Sequence, residues 1–209
     1  QIALALFLLS GISFFLYHLL LRLRIVLKGK SNFSVDELPK RIIRVFDEVI
    51  LHKKVASGKR KSAGILHALV MYGFIFFGLI TINHFGMAFG LPIFSESFRH
   101  AYFLIFGAPW AILCTIGILG LAYRRFVIKP EALGKFSSTS ALVSVFIVTL
   151  MTTYLIDELH ILTGAAEKFN WWLHSGVIGG FLFLIPQSKH MHLVPVSYTH
   201  LRAHETRTY

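Results

Sequence analysis

Trp171–Pro195 reads WWLHSGVIGGFLFLIPQSKHMHLVP, and this stretch decides the fold. From Trp171 to Ser188 it carries no charged residue, yet imidazoles stand at His174 and His192. On a straight α-helix their spacing is five turns, or about 27 Å. Both side chains would then leave one face, near opposite sides of a hydrocarbon core about 30 Å thick. Polar, titratable groups at that depth are rare, costly and commonly functional. Two such histidines on one helix suit the axial ligation of two stacked haems. They do not suit one shared metal ion.

The rest of the chain agrees with a membrane setting. Hydrophobic residues make up 55% of its 209 positions and the mean hydropathy is +0.66, well beyond an ordinary soluble domain. Five stretches are long enough to cross a bilayer, near 2–21, 63–89, 101–123, 137–156 and 171–192. The expected fold is therefore all-α, a five-helix transmembrane bundle occupying residues 1–195. Pro186 removes a backbone donor from the last stretch and is a candidate kink. The single Cys114, inside an apolar run, excludes a disulfide framework or an iron–sulfur cluster held by this chain alone. A small buried hydrophobe is its simplest reading.

A net charge of +11 invites a nucleic-acid reading, but the placement of the charges removes it. Twelve of the 21 basic residues lie between Arg22 and Lys61, and Arg124, Arg125, Lys129 and Lys135 follow the third span. The alternate connections hold only Arg99 with Glu96, and Lys168 against Asp157, Glu158 and Glu167. Under the positive-inside rule the N-terminus is outside and both basic loops are cytoplasmic. The chain then leaves its fifth span on the cytoplasmic side. Trp171 and Trp172 form an outer interfacial belt, and Lys189 is an inner anchor.

Between the first two spans, Asp36 to Lys54 places Ile42, Ile43, Phe46, Val49 and Ile50 near one side of a helix with basic residues around the rest. That pattern predicts a helix along the cytoplasmic interface, with His52 at headgroup level. The second span opens KSAGILHALVMYGFIFFGLITINHFG. Its Ala63, Gly64, Ala68, Gly73 and Gly78 admit close approach by a helix or a flat ring. The third reads as uncharged scaffold. The fourth ends in Asp157, Glu158 and His160, expected to be a wet outer end. Gln1 already stands in an apolar run, and residues 196–209, VSYTHLRAHETRTY, match nothing that the preceding helix needs. That tail resembles translated sequencing adapter, so its His200 and His204 carry no functional weight.

Spans two and five run antiparallel in this topology, which sets His67 and His192 at one cytoplasmic depth. His84 rises about 25 Å above His67 and reaches the depth of His174. Geometry thus offers two cross-helix histidine pairs, one at each face. His190 points about 160° away from His192 and is a headgroup-level bystander.

The segments GKRKSAGILHALVMYGF around His67 and WWLHSGVIGGFLFLIPQSKHMH around His174 and His192 carry a resemblance. They resemble the membrane domain shared by the gamma (cytochrome b) subunit of respiratory nitrate reductase and the membrane subunit of heterodisulfide reductase. The likeness is strongest to bacterial membrane-bound iron–sulfur oxidoreductases that fuse this domain to a cytoplasmic part. It covers residues 1–195 and is generic outside the two segments. The resemblance implies one or two b-type haems, with His67 and His192 as axial ligands of the inner one and His174 as a ligand of the outer. The second ligand of the outer haem would fall near Phe77, a departure from the pattern. His84 lies within about 20° of that direction, two turns further out, and is the substitute candidate.

Two neutral imidazoles fill both axial positions of the iron, so such a haem relays electrons and does not activate oxygen. A ligand's second ring nitrogen needs an acceptor, for which a backbone carbonyl or a serine such as Ser62 or Ser175 is a candidate, and Lys61, Lys189 and Arg60 are candidates to meet propionates. The resemblance also implies a quinone (menaquinone in many such bacteria) as membrane partner. It implies a cytoplasmic iron–sulfur module beyond this chain and residence in a bacterial or archaeal cytoplasmic membrane. The chain alone is then not a complete enzyme. Two rivals belong to other classes: a haem-free anchor for a redox domain, and a proton-relay transporter component, which should carry mid-membrane carboxylates.

Overall fold

The computed structural model describes residues 1–27, 39, 43, 46–47, 61–134, 136–188 and 191. All regular structure among them is helical. Five long helices follow in order: α1 (Ile2–Leu27), α2 (Lys61–Ala88), α3 (Glu96–Ile128), α4 (Ser138–Glu158) and α5 (Gly164–Gln187). Within α3, α-helical Glu96–Tyr102 and Ala108–Tyr123 are joined through a π-helical turn at Phe103–Gly107, and a second π turn, Arg124–Ile128, closes the rod. The interfacial helix expected over 36–54 falls outside the described residues but for isolated positions. His52, Arg60, Lys189, His190, His192 and the 196–209 tail also lie outside them.

Among the described residues four helices, α1 to α4, are long and apolar enough to cross a membrane. The expectation of five is corrected at α5. Its 24 residues suffice in length, but the helix begins seven residues before Trp171 and takes in Glu167, Lys168 and Asn170 ahead of His174 and Ser175. Those polar groups lower its mean hydropathy. Helix α3 corrects in the other direction, running from Glu96 to Ile128, 33 residues, because neither Arg99 nor Arg124 ends it.

The surface is far more apolar than that of a soluble protein. Ile65, Ile75, Leu79, Ile82, Ile105, Ile112 and Ile116 are exposed, while Asn83, Thr153, Asn170 and Ser175 are buried. Apolar faces turned outward fit contact with lipid tails, and polar side chains must then find partners inside.

The chain divides into two compact units, and one is built from residues 1–2 and 62–178. Here α2 meets α3 through glycines. A Cβ on Gly117 would lie 2.9 Å from the Leu66 carbonyl oxygen, one on Gly120 2.8 Å from a Leu66 methyl, and one on Gly73 2.8 Å from Cys114 Sγ. Gly73 thus seats a neighbouring helix, not a flat ring, and Cys114 is the small buried hydrophobe expected. Helices α3 and α4 approach where Gly107 meets the Tyr154 hydroxyl. The turn after α2 is tied by buried Asn83, whose Oδ1 accepts from Ile93 N at 3.0 Å and Phe94 N at 2.9 Å.

The other unit takes residues 3–61 and 179–209. In it α1 packs on the C-terminal half of α5: Gly179 lies against the Phe7 ring, Gly11 against Leu182, and the Phe14 and Phe183 rings are 5.4 Å apart. Pro186 falls one residue before the end of α5 and so lies in its last turn, not its middle. The Arg22 guanidinium donates to the Pro186 carbonyl at 2.6 Å, satisfying one of the orphaned acceptors at this C-terminus.

Candidate functional site: a paired-histidine site

The first unit brings two of the expected histidines together. His84, on the last turns of α2, and His174, on α5, have ring centroids 5.1 Å apart with planes inclined at 59°. Both rings are half-buried. Trp171 stacks on His84, centroids 5.1 Å apart and planes within 23°, so a residue expected only as interfacial belt also forms a wall of this site.

Each imidazole meets a hydroxyl. His84 Nε2 lies 2.9 Å from Ser175 Oγ, and His174 Nδ1 lies 2.7 Å from Thr153 Oγ1. Ser175 has no solvent exposure and Thr153 is 4% exposed. Ser175 was expected as an acceptor for a ligand histidine, and it meets a ring on the facing helix, α2. Thr153 escaped the sequence reading. Its signal was a hydroxyl in an apolar run, at the depth of His174 once α4 and α5 are paired as neighbours. Asn170 adds a second bond between these helices, its Nδ2 donating to the Thr153 carbonyl at 2.9 Å.

Phe77 lies edge-on to Tyr154 at 5.0 Å and 81°. The position expected for a second-helix ligand therefore packs against α4, while His84 reaches α5. Glu158 corrects another expectation. It is not simply the wet end of α4, because Arg99 at the start of α3 holds its Oε1 at 2.9 Å and leaves the side chain 11% exposed. Every carboxylate on the five long helices stands near a helix end (Glu96, Asp157, Glu158 and Glu167), which leaves a proton-relay transporter without mid-membrane carboxylates among the described residues.

His67 sits half-buried in the second turn of α2, with Lys61 and Ser62 exposed at that helix's start. Its expected partner His192 lies outside the described residues. No group of three or more His, Cys, Asp or Glu side chains able to enclose a metal ion occurs among the described residues. Two imidazoles are what bis-histidine haem ligation requires, so the donor set at His84 and His174 fits. Two metal–nitrogen bonds of about 2 Å, with about 1 Å more from each nitrogen to its ring centre, put bracketing rings about 6 Å apart. The observed 5.1 Å falls about 1 Å short of that spacing.

The fold and this site define a class: an all-helical chain with membrane-length helices that pairs two imidazoles across helices near one end. Among proteins of established description, the chain is similar to "Probable iron-sulfur-binding oxidoreductase FadF" of Bacillus subtilis (strain 168). The two are 29% identical over 210 residues, covering 86% of this chain and 29% of the relative. The chain thus spans less than a third of that relative's length. No protein-family model matches the chain. No solved structure matches it either.

Proposed function

We propose that the chain is the membrane electron-transfer domain of a respiratory oxidoreductase. It holds one b-type haem between His84 and His174 at the outer leaflet, with His67 the ligand proposed for a second at the cytoplasmic side; His192, its expected partner, lies outside the described residues. The observation that carries this reading is the meeting of two imidazoles, far apart in sequence, at 5.1 Å across α2 and α5. The likeness to a protein named as an iron–sulfur-binding oxidoreductase supports the redox setting. A haem iron with both axial positions filled by histidine passes single electrons and leaves no site for oxygen.

The chain's own residues do the rest. Ser175 and Thr153 orient the two rings, and Trp171 covers one face of His84. Exposed aliphatic ridges on α2 and α3 keep the surroundings in lipid, where a low dielectric disfavours unpaired charge. Cys114, enclosed beside Gly73, cannot hold a cluster, so iron–sulfur chemistry belongs to a cytoplasmic module outside this chain. The second redox partner is a quinone dissolved in the bilayer. Helices α1 to α4 cross in the orientation set by the basic loops, and α5 meets α2 and α4 through His174, Ser175 and Asn170.

Purification in detergent and a reduced-minus-oxidised spectrum test the reading. A b-type α-band that is bleached by a water-soluble quinone analogue supports it. A haem-free preparation from haem-replete cells overturns it and leaves the anchor as the explanation of the fold.

A further inference from the structure

We infer that Thr153 is a positioning residue that locks His174 as the Nδ1–H tautomer, so that Nε2 is the nitrogen offered to a bound metal. The inference rests on the haem reading only for the identity of that metal.

The hydroxyl of Thr153 has one proton and three neighbours. Its Oγ1 lies 2.7 Å from the Thr149 carbonyl oxygen, 3.2 Å from that of Leu150 and 2.7 Å from His174 Nδ1. A carbonyl oxygen can only accept, and two oxygens at 2.7 Å with no proton between them repel. The Thr153 proton is therefore committed to its own helix, the back-bond that helical threonines make. Toward His174 the hydroxyl oxygen can then only accept, so Nδ1 must carry hydrogen and the lone pair resides on Nε2. Thr153 is 4% exposed, which keeps water from competing for either role. Asn170 holds the register, since its amide ties α5 to the Thr153 carbonyl one turn before His174. The hydroxyl thus plays the part that an outer acceptor plays for most metal-bound histidines, fixing ring orientation and raising the basicity of the ligating nitrogen.

His84 differs. Ser175 is fully enclosed, and among the described residues its hydroxyl meets His84 Nε2. That hydroxyl pairs with either tautomer of His84, so the locking argued here belongs to His174.

The test uses Thr153→Val, which keeps the shape and removes the acceptor, and Thr153→Ser, which restores it. In protein carrying ¹⁵N-histidine, prepared without haem, NMR should report His174 as the Nδ1–H tautomer in the wild type and in Thr153→Ser. In Thr153→Val the tautomer should become mixed. Haem titrated into the same preparations should bind the His174 site about 10–100-fold more weakly in Thr153→Val. The midpoint potential of that haem should rise, because a less basic nitrogen stabilises ferric iron less. An Nε2–H tautomer at His174 in the wild type, or the same tautomer in wild type and Thr153→Val, overturns the inference even where haem binds. A locked tautomer in protein that takes up no haem upholds the inference and fails the haem reading instead. Should Thr153→Val not fold, Thr153→Ala and the wild-type tautomer still decide.

Discussion

At the scale of single residues, the site is defined by where two hydroxyls stand. Ser175 is enclosed at 0% exposure and its Oγ lies 2.9 Å from His84 Nε2. Ser175→Ala leaves that ring nitrogen facing apolar atoms. The variant should lose about 1–3 kcal/mol of stability, the cost of an unmet buried polar group. Denaturation in detergent, monitored by tryptophan fluorescence, measures it; an unchanged midpoint would mean that water already serves His84. The histidines themselves were legible, because imidazoles in apolar runs are conspicuous. Their partners were less so. Thr153 and Asn170 look like ordinary helix residues until α4 and α5 are known to be neighbours, and a sequence records no neighbours across space. Trp171 was read for its amphipathic ring, while its stacking on His84 depends on the rotation of α5 relative to α2.

At the scale of elements, helix contacts rest on glycines whose missing side chains set the approach. Gly73 faces Cys114 Sγ and Gly117 faces the Leu66 backbone carbonyl. Gly73→Ala should destabilise by about 1–3 kcal/mol through overpacking. Combining it with Cys114→Ala should recover about 1 kcal/mol, since the two atoms compete for one space. Gly117→Ala should cost more than Gly73→Ala, because a backbone carbonyl cannot rotate aside as a thiol can. Strict additivity of Gly73→Ala and Cys114→Ala in a double-mutant cycle would contradict the contact. The small residues of α2 announced a close approach, but not whether helix or cofactor would fill it. Helix lengths were legible from hydropathy to within a few residues for α2 and α4. They were misjudged for α3 and α5, where Arg99 and Glu167 sit inside the helix, since charged residues end apolar runs without ending helices.

At the scale of the whole molecule, the exposed aliphatic surface of α1 to α4 and the alternation of basic and nearly neutral connections describe one thing, a chain threaded through a bilayer. In a Cys114→Ala background, a cysteine placed at Glu131 should react with an impermeant maleimide only after cell lysis. One placed at Thr163 should react in intact cells, since it ends an outer connection. The reverse pattern would invert the topology and move the His84–His174 pair to the cytoplasmic side. Charge counting yields this expected orientation because insertion responds to Lys and Arg near the span ends and not to fine packing. What ties the surface to the proposed redox role is the imidazole pair. The ratio of haem to polypeptide in wild type, His84→Ala and His174→Ala, read from a pyridine haemochrome assay with parallel protein quantitation, tests it most directly. The expected result is two haems per chain in the wild type and one in either variant. A ratio that neither substitution changes would contradict ligation by these residues.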